Sequence, residues 1–229
     1  MAHYIFKYIS NTFKPETLKR WWNDALTQIG WTSAGNKIPR KAAWFVWEGC
    51  SCAYKYAGTV WKPTQFPNWL TEITCEVMKI VGWPSKIKTL PNSCKANLYE
   101  DGNDFVSWHS DDEALFNAKN EDCTIISLSL GATRNFEILH KKSKKTWEKQ
   151  LKNGDILTME GMFQKFLKHQ ITKDSKVHDF RINLTWRWIR KHDKSCTQST
   201  TIRRIRKKEL ENTDELTAEQ RATRQMEKT

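Results

Sequence analysis

The 229-residue sequence has no stretch approaching the ~18 apolar residues of a membrane span, and residues 1–11 lack the apolar core of a secretory signal. A membrane or secreted protein is therefore not expected; an intracellular one, nuclear or cytoplasmic, is. The six cysteines (Cys50, Cys52, Cys75, Cys94, Cys123 and Cys196) are too sparse for a disulfide scaffold and lack the paired spacings of a zinc ribbon. Reduced thiols are the simpler expectation. Cys50-Ser51-Cys52 offers two thiolates, but two make half a tetrahedral site, and no second pair stands at zinc-finger spacing. There is no internal repeat. Acid is in deficit, with 26 Asp+Glu against 38 Lys+Arg and a net charge of +12. Such a surface gathers polyanions, nucleic acid first among them, although excess lysine that only keeps a chain in solution is an equal reading on charge alone.

What is present in excess is tryptophan, with 12 residues. Trp31, Trp44, Trp47 and Trp61 crowd a segment that also holds Tyr54 and Tyr56, and aromatic rings beside Lys and Arg are what a base-stacking surface uses, although ordinary core packing is expected for most of them. Apolar spacing predicts a helix over 15–29, entered at Pro15 and stopped at Gly30, using Leu18, Trp22, Ala25 and Ile29. It predicts another over 68–81, ended by Gly82 and Pro84, using Leu70, Ile73, Val77 and Ile80. Residues 31–66 read as short strands and loops. From 95 to 189 the period changes to two, with Ile126, Leu128 and Leu130 alternating with Ile125, Ser127 and Ser129, and Asn153-Gly154-Asp155 marks a turn before 156–159. The fold class expected is α+β: a jelly-roll core backed by N-terminal helices. Beyond His192 the chain turns polar, so the domain is expected to end there. Residues 193–229 then form a charged, flexible tail whose Arg203–Lys208 cluster is either an address, a phosphate anchor or a solvated charge run.

His109 and Asp111 are two apart and share a face on a strand, where one metal can take both; His169 follows after several strand signals and can return beside them. Two histidines and a carboxylate form a facial triad that leaves coordination positions open and suits non-haem iron(II), but a His-x-Asp pair alone is common. In the segment 180–188, Arg181, Asn183, Thr185 and Arg187 alternate with Ile182, Leu184, Trp186 and Trp188. If the polar face looked inward, two guanidinium groups would require anionic partners that this strand does not contain, and a dicarboxylate would supply them; the other reading puts that face in water.

Asn97-Leu98-Tyr99, Gly102, His109-Ser110-Asp111-Asp112-Glu113, His169 and the run Arg181–Arg187 stand in the order and approximate spacing of the AlkB family, and resemble most its animal repair homologues. The likeness extends more loosely to Pro39-Arg40-Lys41, Tyr54–Gly58 and Gly131–Phe136, covering roughly 30–190. It implies a double-stranded β-helix with a nucleotide-recognition lid at about 31–66 and a core at about 95–190. It implies Fe(II) held by His109, Asp111 and His169, with 2-oxoglutarate and O₂ as cosubstrates. Arg181 would take the distal carboxylate, with Arg187, Asn183, Asn97 and Tyr99 at the chelating end. A flipped base would stack on Tyr56 near the iron-ligand histidine and be read by Asp112 and Glu113, with Arg40, Lys141 and Lys142 also at the substrate. The implied reaction removes N-alkyl groups from DNA or RNA bases, yielding formaldehyde, succinate and CO₂.

Two departures bear on substrate. The aromatic finger that duplex-acting relatives place before the Pro-Arg motif has as counterpart only the segment Trp31–Asn36, with Trp31 out of register. The hairpin His140–Lys145 is short but strongly basic. Single-stranded nucleic acid is therefore expected at least as much as duplex, and the chain is expected to act as a monomer. The alternatives are a dioxygenase that modifies RNA, one acting on a protein side chain, against which a lid rich in aromatics and lysines argues, and a basic binding module without catalysis, against which the intact set of metal and cosubstrate residues counts.

Overall fold

The computed structural model describes residues 4–34, 38–83 and 89–198. Two helices come from the N-terminal half, α1 (Pro15–Gln28) and α2 (Asn68–Ile80), with one short helix, α3 (Phe163–Phe166), later. Pro15 occupies the first turn of α1, where its missing N–H costs nothing, and Leu18, Trp21 and Ala25 are its buried face. The inward tryptophan is Trp21 rather than the expected Trp22, and on α2 the buried set is Leu70, Ile73, Thr74, Val77 and Met78, leaving Ile80 exposed. The two helices end differently. Gly82, in the left-handed region, closes α2 as a Schellman cap, with Gly82 N–H donating to Lys79 and Trp83 N–H to Met78. In α1 it is Ile29 that leaves the helix for extended backbone, ahead of Gly30.

The strands are β1 (Tyr4–Ile9), β2 (Thr32–Ser33), β3 (Lys41–Val46), β4 (Tyr54–Tyr56), β5 (Thr59–Trp61), β6 (Thr64–Gln65), β7 (Ser93–Tyr99), β8 (Val106–His109), β9 (Ile125–Gly131), β10 (Arg134–His140), β11 (Thr146–Leu151), β12 (Ile156–Gly161), β13 (Leu167–Ile171) and β14 (Arg181–Arg187). They form an eight-stranded sheet in the order β1-β12-β9-β14-β7-β3-β2, with β6 on β3, and a four-stranded sheet in the order β11-β10-β13-β8. The fold is the helix-backed jelly roll expected from the sequence. β1 and β3 were not foreseen in it: β1 closes one edge against β12, and β3 pairs with β7, so much of segment 31–66 belongs to the main sheet. What stands apart there is the β4–β5 hairpin.

Period-two patterning sorts residues onto the two faces of the large sheet. Ile126, Leu128, Leu130, Ile182, Leu184 and Trp186 point toward α1 and α2, and the Trp186 indole N–H donates to the Thr74 hydroxyl at 2.8 Å. Ile125, Leu157 and Met159 on the opposite face meet Phe136, Ile138, Leu167 and Ile171 of the small sheet. The tryptophans mostly pack: Trp44 and Trp61 are buried, and Trp47 stacks on Phe66. Trp31 also packs against the helix-side core with its indole nitrogen buried, so it is not a projecting finger. Residues 35–37 and the basic cluster Arg203–Lys208 lie outside the described residues.

The packed chain runs past His192. Thr197 donates to the Gly49 carbonyl and Cys196 is buried. Among the described residues no helix is long and apolar enough to cross a membrane.

Candidate active site

Strand pairing assembles the site. β13 pairs with β8 so that His169 lies opposite His109, with ring centroids 4.2 Å apart. Asp111 follows just past β8, its backbone N–H held by the Gln164 side chain at 2.9 Å. The ligand atoms of His109, Asp111 and His169 all lie within 4.8 Å of one another. His109 Nδ1 donates to the Ser107 carbonyl at 2.8 Å, which leaves Nε2 free to ligate, and Phe136 stacks on the His169 ring at 5.3 Å between centroids. Burial alone would raise the Asp111 carboxyl, but the Arg187 guanidinium and both histidines outweigh it and hold it well below the usual carboxylate range. Burial and the neighbouring His109 lower His169 to about 3. A carboxylate and a neutral imidazole are the forms that a metal takes.

The polar face of β14 looks inward. Its neighbours β7 and β9 set Arg181 opposite Tyr99 and Gly131, and Asn183 opposite Asn97 and Ser129. Arg181 is 1% exposed, donates to Ser129 Oγ at 2.9 Å, forms no ion pair among the described residues, and leaves Nε and Nη1 without a partner. Two orphaned donors on a buried cation are costly unless a carboxylate comes to them, which fits a dicarboxylate cosubstrate. Arg187 pairs with Asp111, yet its Nε and Nη1 are also unpartnered. Asn183 is different. Its amide donates to Ser127 Oγ and the Leu128 carbonyl and its oxygen accepts from Thr185, so it is already satisfied within the sheet.

One pocket is lined by His109, Asp111, His169, Asn97, Tyr99, Arg181, Asn183, Arg187, Arg40 and Tyr56. Tyr56, on β4, stands edge-on to His109 with centroids 6.0 Å apart, and Arg40 bridges from the Tyr56 ring to Asn97 Oδ1 at 3.1 Å. The other expected substrate residues are not in that lining. Asp112 pairs with Lys119 at 3.4 Å. Glu113 accepts from the Tyr54 hydroxyl and keeps its other oxygen buried; burial and then Asp111 raise it to about 7. Lys141 is spent internally, its ammonium donating to the Gln164 carbonyl at 2.8 Å, while Lys142 is exposed on the turn.

Sequence reasoning passed over Lys95, Ser129 and Gln164. Lys95 stands two residues before Asn97 and Ser129 alternates with the apolar set of β9, so strand periodicity carried a signal for both. Gln164 reaches Asp111 from α3, a contact with no trace in sequence spacing. Lys95 is 3% exposed with an unpartnered ammonium 3.4 Å from the Trp61 ring centroid; burial, then Arg40 and Arg187, lower it to about 5.

Residues 6–187 match the 2OG-Fe(II) oxygenase superfamily, and the chain belongs to it. The family's metal is Fe(II), with 2-oxoglutarate and O₂ as its cosubstrates, and the triad and the open Arg181 suit that chemistry. Within it the chain is AlkB-like. It is 32% identical over 161 residues to alpha-ketoglutarate-dependent dioxygenase alkB homolog 3 of Rattus norvegicus, covering 66% of this chain and 50% of the relative. It is 30% identical over 129 residues to DNA oxidative demethylase ALKBH2 of Arabidopsis thaliana, covering 44% and 40%. The chain thus spans about half or less of the length of these relatives. The solved structure of OsALKBH1 shares the fold, with a TM-score of 0.57 at 15% identity over 80% of this chain and 97% of that one.

Proposed function

We propose that the protein is an Fe(II)- and 2-oxoglutarate-dependent oxidative demethylase that removes N-alkyl groups from bases of DNA or RNA. The observation that carries this is the shared pocket, in which three metal-ligating side chains, an unsatisfied buried guanidinium and a ring at the entrance meet. His109, Asp111 and His169 hold the iron. Arg181 takes the distal carboxylate of 2-oxoglutarate from beside Tyr99 and Ser129, and the unpartnered Nε and Nη1 of Arg187 face the end nearer the metal. The bound iron and its cosubstrates supply oxidation of the N-alkyl carbon, releasing formaldehyde, succinate and CO₂.

The residues of the chain position the base and keep water out. Tyr56 swings from its edge-on contact to stack on a flipped base, so that the base lies between this ring and His109. Arg40 anchors that ring and can meet a phosphate. Glu113, rather than Asp112, is the carboxylate near enough to act behind the lid, through Tyr54. Trp31 packs inward instead of projecting as a finger, which supports action on single strands at least as fast as on duplex. The test is anaerobic loading with iron and 2-oxoglutarate, admission of air, and mass spectrometry of methylated single- and double-stranded DNA and RNA oligonucleotides. Loss of the methyl mass with stoichiometric succinate is the expected result; binding of the oligonucleotides with neither product would leave a binding module.

A further inference from the structure

Away from the iron pocket, four more ligand atoms converge. Cys50, Cys52, His192 and Cys196 each present one, all within 4.8 Å of one another. His192 Nδ1 lies 3.6, 3.5 and 3.5 Å from the sulfurs of Cys50, Cys52 and Cys196, and the Cys196 and Cys50 sulfurs are 3.9 Å apart. A tetrahedral zinc with bonds of ~2.3 Å to sulfur and ~2.05 Å to nitrogen requires edges of about 3.6 Å (S to N) and about 3.8 Å (S to S). We propose that Cys50, Cys52, His192 and Cys196 form a structural zinc site, separate from the iron triad, that pins the chain after β14 to the root of the β4–β5 lid.

The backbone is shaped for it. Gly49, in the left-handed region, turns the chain after β3 so that Cys50 and Cys52 face one way, and a Cβ there would come within 3.1 Å of Gln198. A second turn, closed by the Cys196 N–H on the Asp193 carbonyl at 2.9 Å, brings His192 and Cys196 to one side. Two backbone N–H groups donate to ligand sulfurs, Asp193 to Cys52 at 3.2 Å and Ser51 to Cys196 at 3.5 Å, the outer-shell contacts that favour thiolates. Cys50, Cys52 and Cys196 are all at most 5% exposed, and His192 supplies the fourth donor, so three soft sulfurs and one imidazole close the tetrahedron without an open position, as in structural rather than catalytic zinc. The consequence is mechanical: Tyr54 and Tyr56 follow the knuckle directly, while His192 follows the strand that carries Arg181 and Arg187, so the ion holds lid and anion strand in one frame.

The test measures metal on the full chain purified without chelator, and does not depend on demethylation. One zinc per chain is expected, retained in His169→Ala and lost in Cys52→Ser and Cys196→Ser. Because those serine variants can fail to fold, cobalt(II) is also titrated into the metal-free His169→Ala chain. A thiolate-to-cobalt charge-transfer band with tetrahedral visible bands is expected, which the iron triad cannot give because it contains no sulfur. No zinc together with cobalt binding free of that band, or a Cys50–Cys196 disulfide in freshly purified protein, overturns the site.

Discussion

Arg187 donates from Nη2 to Oδ2 of Asp111, so the strand that carries Arg181 is tied by a buried ion pair to the carboxylate that lies beside His109 and His169. The two side chains are 5% and 4% exposed, which makes the pair costly to break from either end.

Replacing Arg187 by Ala leaves that carboxylate buried without its partner. The metal-free chain is expected to lose about 3–5 kcal/mol in denaturant unfolding. Manganese(II) or iron(II) restores a cation beside Asp111, so metal is expected to raise the midpoint of the variant more than that of the parent. An equal metal response in both would show that the pair does not govern the state of Asp111.

His109→Ala, Asp111→Ala and His169→Ala each remove one of three donors. Iron binding and succinate formation are expected to vanish in all three while the far-ultraviolet circular dichroism stays near that of the parent. Undiminished 2-oxoglutarate decarboxylation in any one of them would falsify the triad.

Arg181→Ala removes a charged donor from a buried carboxylate site, a loss of roughly 1.5–3 kcal/mol. That is about 10- to 150-fold in the 2-oxoglutarate requirement, read as KM for 2-oxoglutarate with iron saturating. Ser129→Ala, which removes only the hydroxyl that orients the guanidinium, is expected to show a smaller rise.

Lys95 gives stability a defined slope with pH. The unfolded chain keeps this proton up to the ordinary lysine range, whereas the folded chain releases it above about 5. Between those limits unfolding takes up a proton, so stability rises with pH by at most ~1.4 kcal/mol per unit. Lys95→Met is expected to remove that slope and to stabilise the chain near pH 7, as read from denaturant midpoints at three pH values. A variant whose slope equals the parent's would mean that Lys95 is charged in the folded protein.

Grip and reading should separate. Lys142→Ala, Lys144→Ala and Lys145→Ala together are expected to weaken oligonucleotide binding similarly for every sequence, and to flatten its salt dependence by roughly 0.7 per lost phosphate contact on single strands. Lys141 is left intact because its ammonium serves the fold. Tyr56→Ala is expected instead to cost about 1–3 kcal/mol of stacking with little change in salt slope. Identical salt slopes in the triple variant and the parent would remove the hairpin from the interface.

The sequence by itself determined the parts whose signal is local and periodic. Period two placed Arg181, Asn183, Thr185 and Arg187 on one face and Ile182, Leu184 and Trp186 on the other, and the spacing of His109 and Asp111 put both on one side of a strand. Pro15 and Gly82 likewise marked a helix start and a helix end, because φ restriction and left-handed freedom are properties of single residues. Only the tertiary structure decided which way each face looks. Whether the polar face of β14 meets water or a pocket depends on β7 and β9 covering both its edges and the small sheet covering its front, and none of those partners is encoded near it. Pairing of β13 with β8 likewise set His169 opposite His109. The same nonlocality hid the second cluster: Cys50 and Cys52 read as half a site because their partners, His192 and Cys196, come from the far end of the chain and meet them only when the sheet has closed.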